Sequence, residues 1–176
     1  LNVQAIVDSG QAFRRHTASG LFFNIVNDQV LAIKPVSPNE FEWQTYPVKD
    51  DYKLVAWHLN LDKNYEAIIK SIKRDPYIGK AIDAYWGLRE LRQPLFETII
   101  SYIISANNSV PLISRSIDFL CRKWGQPIEV NGATFYTFPE PSEIDCISEA
   151  ELAFVTRIGF RAKYIKKVVR DILSGR

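Results

Sequence analysis

The chain has 176 residues, 47% of them hydrophobic and 24% charged, the balance of an ordinary soluble globular protein with room for one large or two small domains. No apolar run approaches the length that spans a bilayer, and Leu1-Asn2-Val3-Gln4 lacks the basic start and long apolar run of a signal peptide, so a cytoplasmic or nuclear chain is expected. The formal charge of +2 does not by itself announce a polyanion binder.

The first third is strand-like. Leu21 to Val26 and Gln29 to Ile33 flank Asn27-Asp28, which reads as a tight hairpin turn. Phe41-Glu42-Trp43-Gln44-Thr45-Tyr46 alternates apolar and polar residues, as a strand with one buried face does. Pro35, Pro38 and Pro47 punctuate these runs. An antiparallel sheet is expected up to about Pro47.

Helical spacing follows. Tyr65, Ile68, Ile69 and Ile72 predict an amphipathic helix over 64–74. Asp75-Pro76 ends it and opens another through Ile78, Ile82, Tyr85 and Trp86. Pro94 suits the first turn of a helix through Phe96, Ile99, Ile100, Ile103 and Ile104, apolar on most sides and therefore expected at the centre of the core. Residues 110–124 form the next helix, and 134–139 an extended linker. Ser148-Glu149-Ala150-Glu151 fits a capping box. The last helix runs over 161–173, with Tyr164, Ile165, Val168, Val169, Ile172 and Leu173 as its inner stripe and Gly175 as its cap. The class is α+β: an antiparallel β domain over residues 1–60, then an α-helical domain over 61–176.

Cys121 and Cys146 are in no paired spacing, and His16 and His58 are distant from both; two buried thiols in a reducing compartment are expected, with no metal and no cofactor. Charge is unevenly placed. Arg157, Arg161, Lys163, Lys166, Lys167, Arg170 and Arg176 crowd the last twenty residues against one acid, Asp171. That pattern fits a surface aimed at a polyanion and, equally, a solvated helix face. No zinc-protease box, P-loop, dinucleotide loop or nucleophile elbow is present.

Four segments carry a resemblance: 8–14 (DSGQAFR), 87–94 (GLRELRQP), 104–108 (ISANN) and 159–164 (GFRAKY). In this order and approximate spacing, joined by the aromatic-Pro run 135–139 (FYTFP), the chain resembles the 8-oxoguanine DNA glycosylase family of the helix-hairpin-helix superfamily, over its N-terminal two thirds. The resemblance implies an incomplete helix-hairpin-helix glycosylase fold whose β domain forms one wall of a base pocket. It implies base flipping on double-stranded DNA containing oxidised guanine, by a monomer that is nucleoid-associated in a bacterium or archaeon and nuclear in a eukaryote.

Roles follow from the resemblance residue by residue. Gly10, with Gln11 and Phe13, would recognise the extruded base: its carbonyl accepts the hydrogen that 8-oxoguanine carries at N7, where guanine offers a lone pair. Asn107 and Asn108 would fill the vacated space. Phe160 would wedge beside the estranged base and Arg161 donate to it. Lys163, Lys166 and Lys167 would contact phosphates. From the residues alone, Ser9-Gly10 could equally be an ordinary turn, Asn107 a helix cap, Phe160 a core residue and Arg161 a solvated charge. Leu112 stands where many relatives have an Arg that selects cytosine, which implies weaker selectivity for cytosine opposite the lesion.

The family's catalytic Lys, on its helix-hairpin-helix, and its Asp have no matching position here. No catalytic residue is assigned, the chain is expected to be a fragment (it lacks Met throughout), and alone it is expected not to excise bases. The alternatives are a non-catalytic lesion-binding module, a glycosylase for another damaged base such as an alkylated one, and an interaction module with no DNA role. A Schiff-base trap and the salt dependence of duplex binding separate them.

Overall fold

A computed structural model describes residues 1–37 and 40–176; the break expected at Pro38 lies outside the described residues. The architecture is α+β, an antiparallel sheet followed by helices. Helix α1 (Val3–Asp8) precedes strands β1 (Arg15–Ala18), β2 (Leu21–Val26), β3 (Gln29–Ser37) and β4 (Glu40–Tyr46), which pair in chain order as one antiparallel sheet. The β2–β3 turn sits at Asn27, whose φ of 54° suits the small polar residues that tolerate left-handed backbone. Pro35 lies inside β3, beside a register shift towards Ser37, where an irregularity excuses its missing N–H.

Residues 29–33 are buried on both faces because both faces of the sheet are covered. Phe22, Leu31 and Ile33 meet Val3 and Ile6 of α1, Val55 and Leu59 near α2 (Tyr52–His58), and Leu91. Ile25 and Val30 on the other face meet Ile128, Val130 and Phe135 of a second hairpin, β5 (Pro127–Val130) with β6 (Ala133–Tyr136). The stretch expected as a linker over 134–139 is therefore partly strand. Sequence reading missed α1, β1, α2 and this hairpin because each element is too short to show a period.

Helices α3 (Tyr65–Ile72) and α4 (Pro76–Ala84) are capped by Asn64 and Asp75. Tyr85 and Trp86 lie past the end of α4 rather than on it, and Ile68, Ile72 and Ile78 remain exposed.

The helical core gathers Ile100 and Ile104 of α5 (Leu95–Ser105), Ile113, Ile117, Leu120 and Cys121 of α6 (Val110–Trp124), Ile144 of α7 (Pro141–Asp145), Leu152 of α8 (Glu149–Thr156), and Ile165 and Val169 of α9 (Ala162–Leu173). Helix α5 is central on one face only, for Leu95 and Tyr102 are each 75% exposed. The inner stripe of α9 is narrower than expected: Tyr164, Ile172 and Leu173 are exposed. Ser148 accepts the Glu151 amide, but the reciprocal box forms instead at Glu140 and Glu143, ahead of α7. Cys121 is buried, with its thiol pushed up to about 12 by burial first. Cys146 is exposed, contrary to expectation; it sits just past the end of α7.

Gly125 ends α6 where residue 137 crosses it. An added Cβ would stand 2.0 Å from the Thr137 carbonyl oxygen and 2.7 Å from that of Cys121. Both are backbone atoms that cannot swing aside. Gly125→Ala is therefore expected to destabilise the fold by about 2–4 kcal/mol, on the scale of severe overpacking, read as a drop in thermal midpoint.

Candidate nucleic-acid interface

The site begins at the end of α1. Ser9 closes the helix, its hydroxyl donating to the Ile6 carbonyl at 2.6 Å, and Gly10 turns the chain with φ 72°. A side chain at residue 10 would meet nothing within 4 Å. The turn therefore faces open space, and its conformation is what favours glycine.

Gln11 holds this turn in place. Its amide donates to the Arg89 carbonyl at 3.0 Å and accepts the Leu91 N–H at 2.8 Å, while Gln93 donates to its backbone carbonyl at 2.6 Å. Both ends of the Gln11 amide are thus engaged within the protein, and they tie the turn to the backbone of residues 89–91. Phe13 is half-buried against the helical core.

Arg14, next along, is buried and bidentate to Glu97 in the first turn of α5, at 2.8 and 2.6 Å. A third bond reaches the Tyr136 carbonyl at 2.9 Å. Burial opposes the guanidinium charge, yet Glu97 outweighs it and raises the Arg14 pKa. Sequence reading assigned neither residue a role.

At the other end of α5 the chain breaks at Ala106. Asn107 is exposed with φ 50°. Asn108 turns back, its amide donating to the Ile104 carbonyl at 3.2 Å, so Asn108 caps the helix and only Asn107 points outward. Phe160 and Arg161 occupy a 3-10 turn that leads into α9. Arg161 donates from Nε to the Ala106 carbonyl at 2.9 Å, from Nη2 to the carbonyls of Ala106 and of Asn107, the latter at 3.1 Å, and from Nη1 to Ile158 at 3.2 Å. Phe160 is 61% exposed, with the Arg161 guanidinium 4.8 Å from its ring centre. It is a presented ring, not a core residue. Leu112, one turn into α6, is also exposed.

The three lysines do not share one environment. Lys163 is exposed beside Tyr164, and Lys167 pairs with Asp171 at 2.8 Å. Lys166 is 7% exposed and donates to the carbonyls of Ile144 and Asp145 at 3.0 and 2.7 Å. It satisfies the end of α7 instead of reaching outward, which removes it from the phosphate contacts expected for it. Among the described residues no group of three or more His, Cys, Asp or Glu side chains is placed to hold a metal. Among the described residues no helix is long and apolar enough to cross a membrane.

An antiparallel sheet followed by a helical body is the arrangement of solved 8-oxoguanine DNA glycosylase structures. A solved structure described as MBOgg1 in complex with low affinity DNA ligand superposes with TM-score 0.92 at 34% identity, over 99% of this chain and 60% of that one. The 8-oxoguanine glycosylase/lyase of Clostridium acetobutylicum, solved with double-stranded DNA containing cytosine opposite 8-oxoG, gives 0.90 at 32% over the same shares. A probable N-glycosylase/DNA lyase of Methanothermobacter thermautotrophicus is 35% identical over 115 residues, 54% of this chain and 37% of that protein. Residues 1–99 match the family model of the 8-oxoguanine DNA glycosylase N-terminal domain, and the chain belongs to that family. It spans 60% of the length of the solved relatives it matches.

Proposed function

We propose that this chain is the lesion- and DNA-reading part of a base-excision glycosylase and apurinic-site lyase that removes 8-oxoguanine from duplex DNA by flipping the base out. The observation that carries it is the contact of Arg161 with the Asn107 turn, which sets the outward Asn107, the exposed Phe160 and a guanidinium side by side. Extruding a nucleotide leaves a gap and an orphaned partner. An amide that can donate and accept, a flat ring and a forked donor are what those two require. Gly10, tied through Gln11 to residues 89–93, would present its carbonyl to the flipped base, with residues 1–60 as one wall of the pocket and the helical residues 61–176 as the other. Lys163 and Lys167 remain the phosphate contacts. No residue of this chain is given a catalytic role. The working protein is a monomer acting where DNA is kept, nucleoid or nucleus.

Binding to a duplex carrying 8-oxoguanine opposite cytosine, against the same duplex with guanine, tests the reading. Affinity is expected to fall as salt rises, because each neutralised phosphate releases counterions. Arg161→Ala is expected to lower discrimination of the opposite base by about 1–3 kcal/mol, and Asn107→Ala to weaken duplex binding more than single-strand binding. With Leu112 exposed where many relatives carry the selecting Arg, cytosine preference is expected to be weak. Borohydride is expected to crosslink a polypeptide of the relatives' full length to lesion duplex, and not this chain alone. Wild-type behaviour of both variants would sink the assignment.

A further inference from the structure

Arg161 does more than stand near Asn107. Helix α5 ends at Ser105, and its last carbonyls have no partner within the helix. Three of the four carbonyl bonds made by Arg161 fall on Ala106 and Asn107, immediately beyond that end. The fourth, to Ile158, pins the guanidinium to its own turn, and the Phe160 ring stacks on it at 4.8 Å. A cation is also favoured there by the negative end of the helix dipole. Asn107 itself is left-handed, a conformation that Asn adopts more readily than most residues but that still needs support. Asn108 supplies some, bonding back to Ile104 and accepting the Ser109 N–H at 3.0 Å. The remaining support comes from 54 residues away in sequence.

We propose that Arg161 is a positioning residue for the Asn107 turn: in the unbound protein its guanidinium latches the carbonyls of Ala106 and Asn107, and an estranged base must take over those same donors, so that opposite-base reading and release of the inserting Asn are one coupled event. The coupling to DNA rests on the function proposed above; the latch itself does not. A guanidinium has five N–H groups in a fixed fork, and four bonds to carbonyls are already made. The edge of a base that offers two acceptors cannot be fully engaged while all four persist.

The latch is tested first without DNA, by amide hydrogen exchange on the isotopically labelled chain. The Ala106 and Asn108 amides bond to Ile103 and Ser105 at 3.4 and 3.1 Å and report the turn directly. Arg161→Ala is expected to speed their exchange at least tenfold, while Ile165 and Val169 in α9 keep their protection. Arg161→Lys, one point charge in place of a fork, is expected to restore only part of it. Unchanged exchange at 106 and 108 in Arg161→Ala overturns the proposal. The wild-type Nε–H resonance of Arg161 gives a second readout that needs no variant to fold. It is expected to exchange slowly in the free chain and to shift when a duplex with an abasic analogue opposite cytosine is added. If the Asn107 resonances move on adding duplex while the Nε–H stays as it was, the coupling is overturned. If the latch is present but no resonance responds to duplex, the DNA-reading function fails and the latch stands.

Discussion

Arg14→Leu is expected to lower the unfolding free energy by about 3–5 kcal/mol, the range found when one member of a buried ion pair is removed and the other is left without compensation. Both side chains are nearly inaccessible, 4% and 9% exposed, so water cannot replace the lost partner. The Tyr136 carbonyl loses a donor as well. Glu97→Leu is expected to be as damaging, since it strands a guanidinium that is held charged against its own burial. The double variant Arg14→Leu with Glu97→Leu is expected to lose much less than the sum, because two apolar side chains leave no orphaned charge. Urea unfolding of the four proteins measures the cycle. Additive losses would mean that the pair is not a unit. The site gives the pair its wider meaning. Arg14 follows the Gly10 turn by four residues and Glu97 lies in the first turn of α5, the helix that leads to the Asn107 turn, so one buried ion pair ties together the segments that carry the two turns proposed to grip DNA. Loosening it is expected to weaken lesion binding even where the fold survives.

Neither end of that bond could be read as a pair, and the reason is general to this chain. Local patterns were legible: residues 110–124 are helical to the residue because four turns give the apolar stripe room to repeat, and the β2–β3 hairpin is announced by its Asn-Asp turn. Elements of four to seven residues, α1, α2 and the β5–β6 strands, show less than two turns or two alternations, and their apolar residues look like any other. The class of the site came through in four short segments. Its connections did not, because they join positions 54, 80 and 83 residues apart. Lys166 is the instructive error. It stands four residues after Ala162 and three before Val169, both buried, so helical spacing places it on the inner stripe. That signal was available, and the surrounding run of basic residues masked it. Its neighbours Lys163 and Lys167 fall off the stripe and do face solvent.

Gln11 depends on the backbone of residues 89–93, and that segment depends on a histidine. His58 is 1% exposed, and its Nδ1 lies 2.7 Å from the Arg92 carbonyl. A carbonyl only accepts, so Nδ1 carries the proton. Nε2 is buried with no partner among the described protein atoms, and a second proton there would be a buried, unshared charge. Burial accordingly lowers the His58 pKa to about 4, against a smaller opposing effect of the Arg92 bond. The folded state thus resists protonation that the unfolded chain accepts at the ordinary value of about 6.5. Above that pH both states hold a neutral ring and stability is unaffected. As pH falls from 6.5 towards 4 the unfolded state binds the extra proton, and stability is expected to decline by roughly 3 kcal/mol in total, at about 1.4 kcal/mol per pH unit at its steepest. The carboxylates lowered by their partners, Asp51, Asp62 and Asp171, lose their contributions only at still lower pH, as it passes below the usual carboxylate value. His16 is lowered in the same direction and serves as the internal background. In urea titrations between pH 7 and 4, His58→Gln, which keeps a donor for the Arg92 carbonyl but cannot titrate, is expected to show a curve flatter than wild type by most of that decline. Parallel curves would place the acid sensitivity elsewhere. Because residues 89–93 anchor Gln11, the same acid window is expected to loosen the Gly10 turn first, so lesion discrimination should fade before the helical core melts.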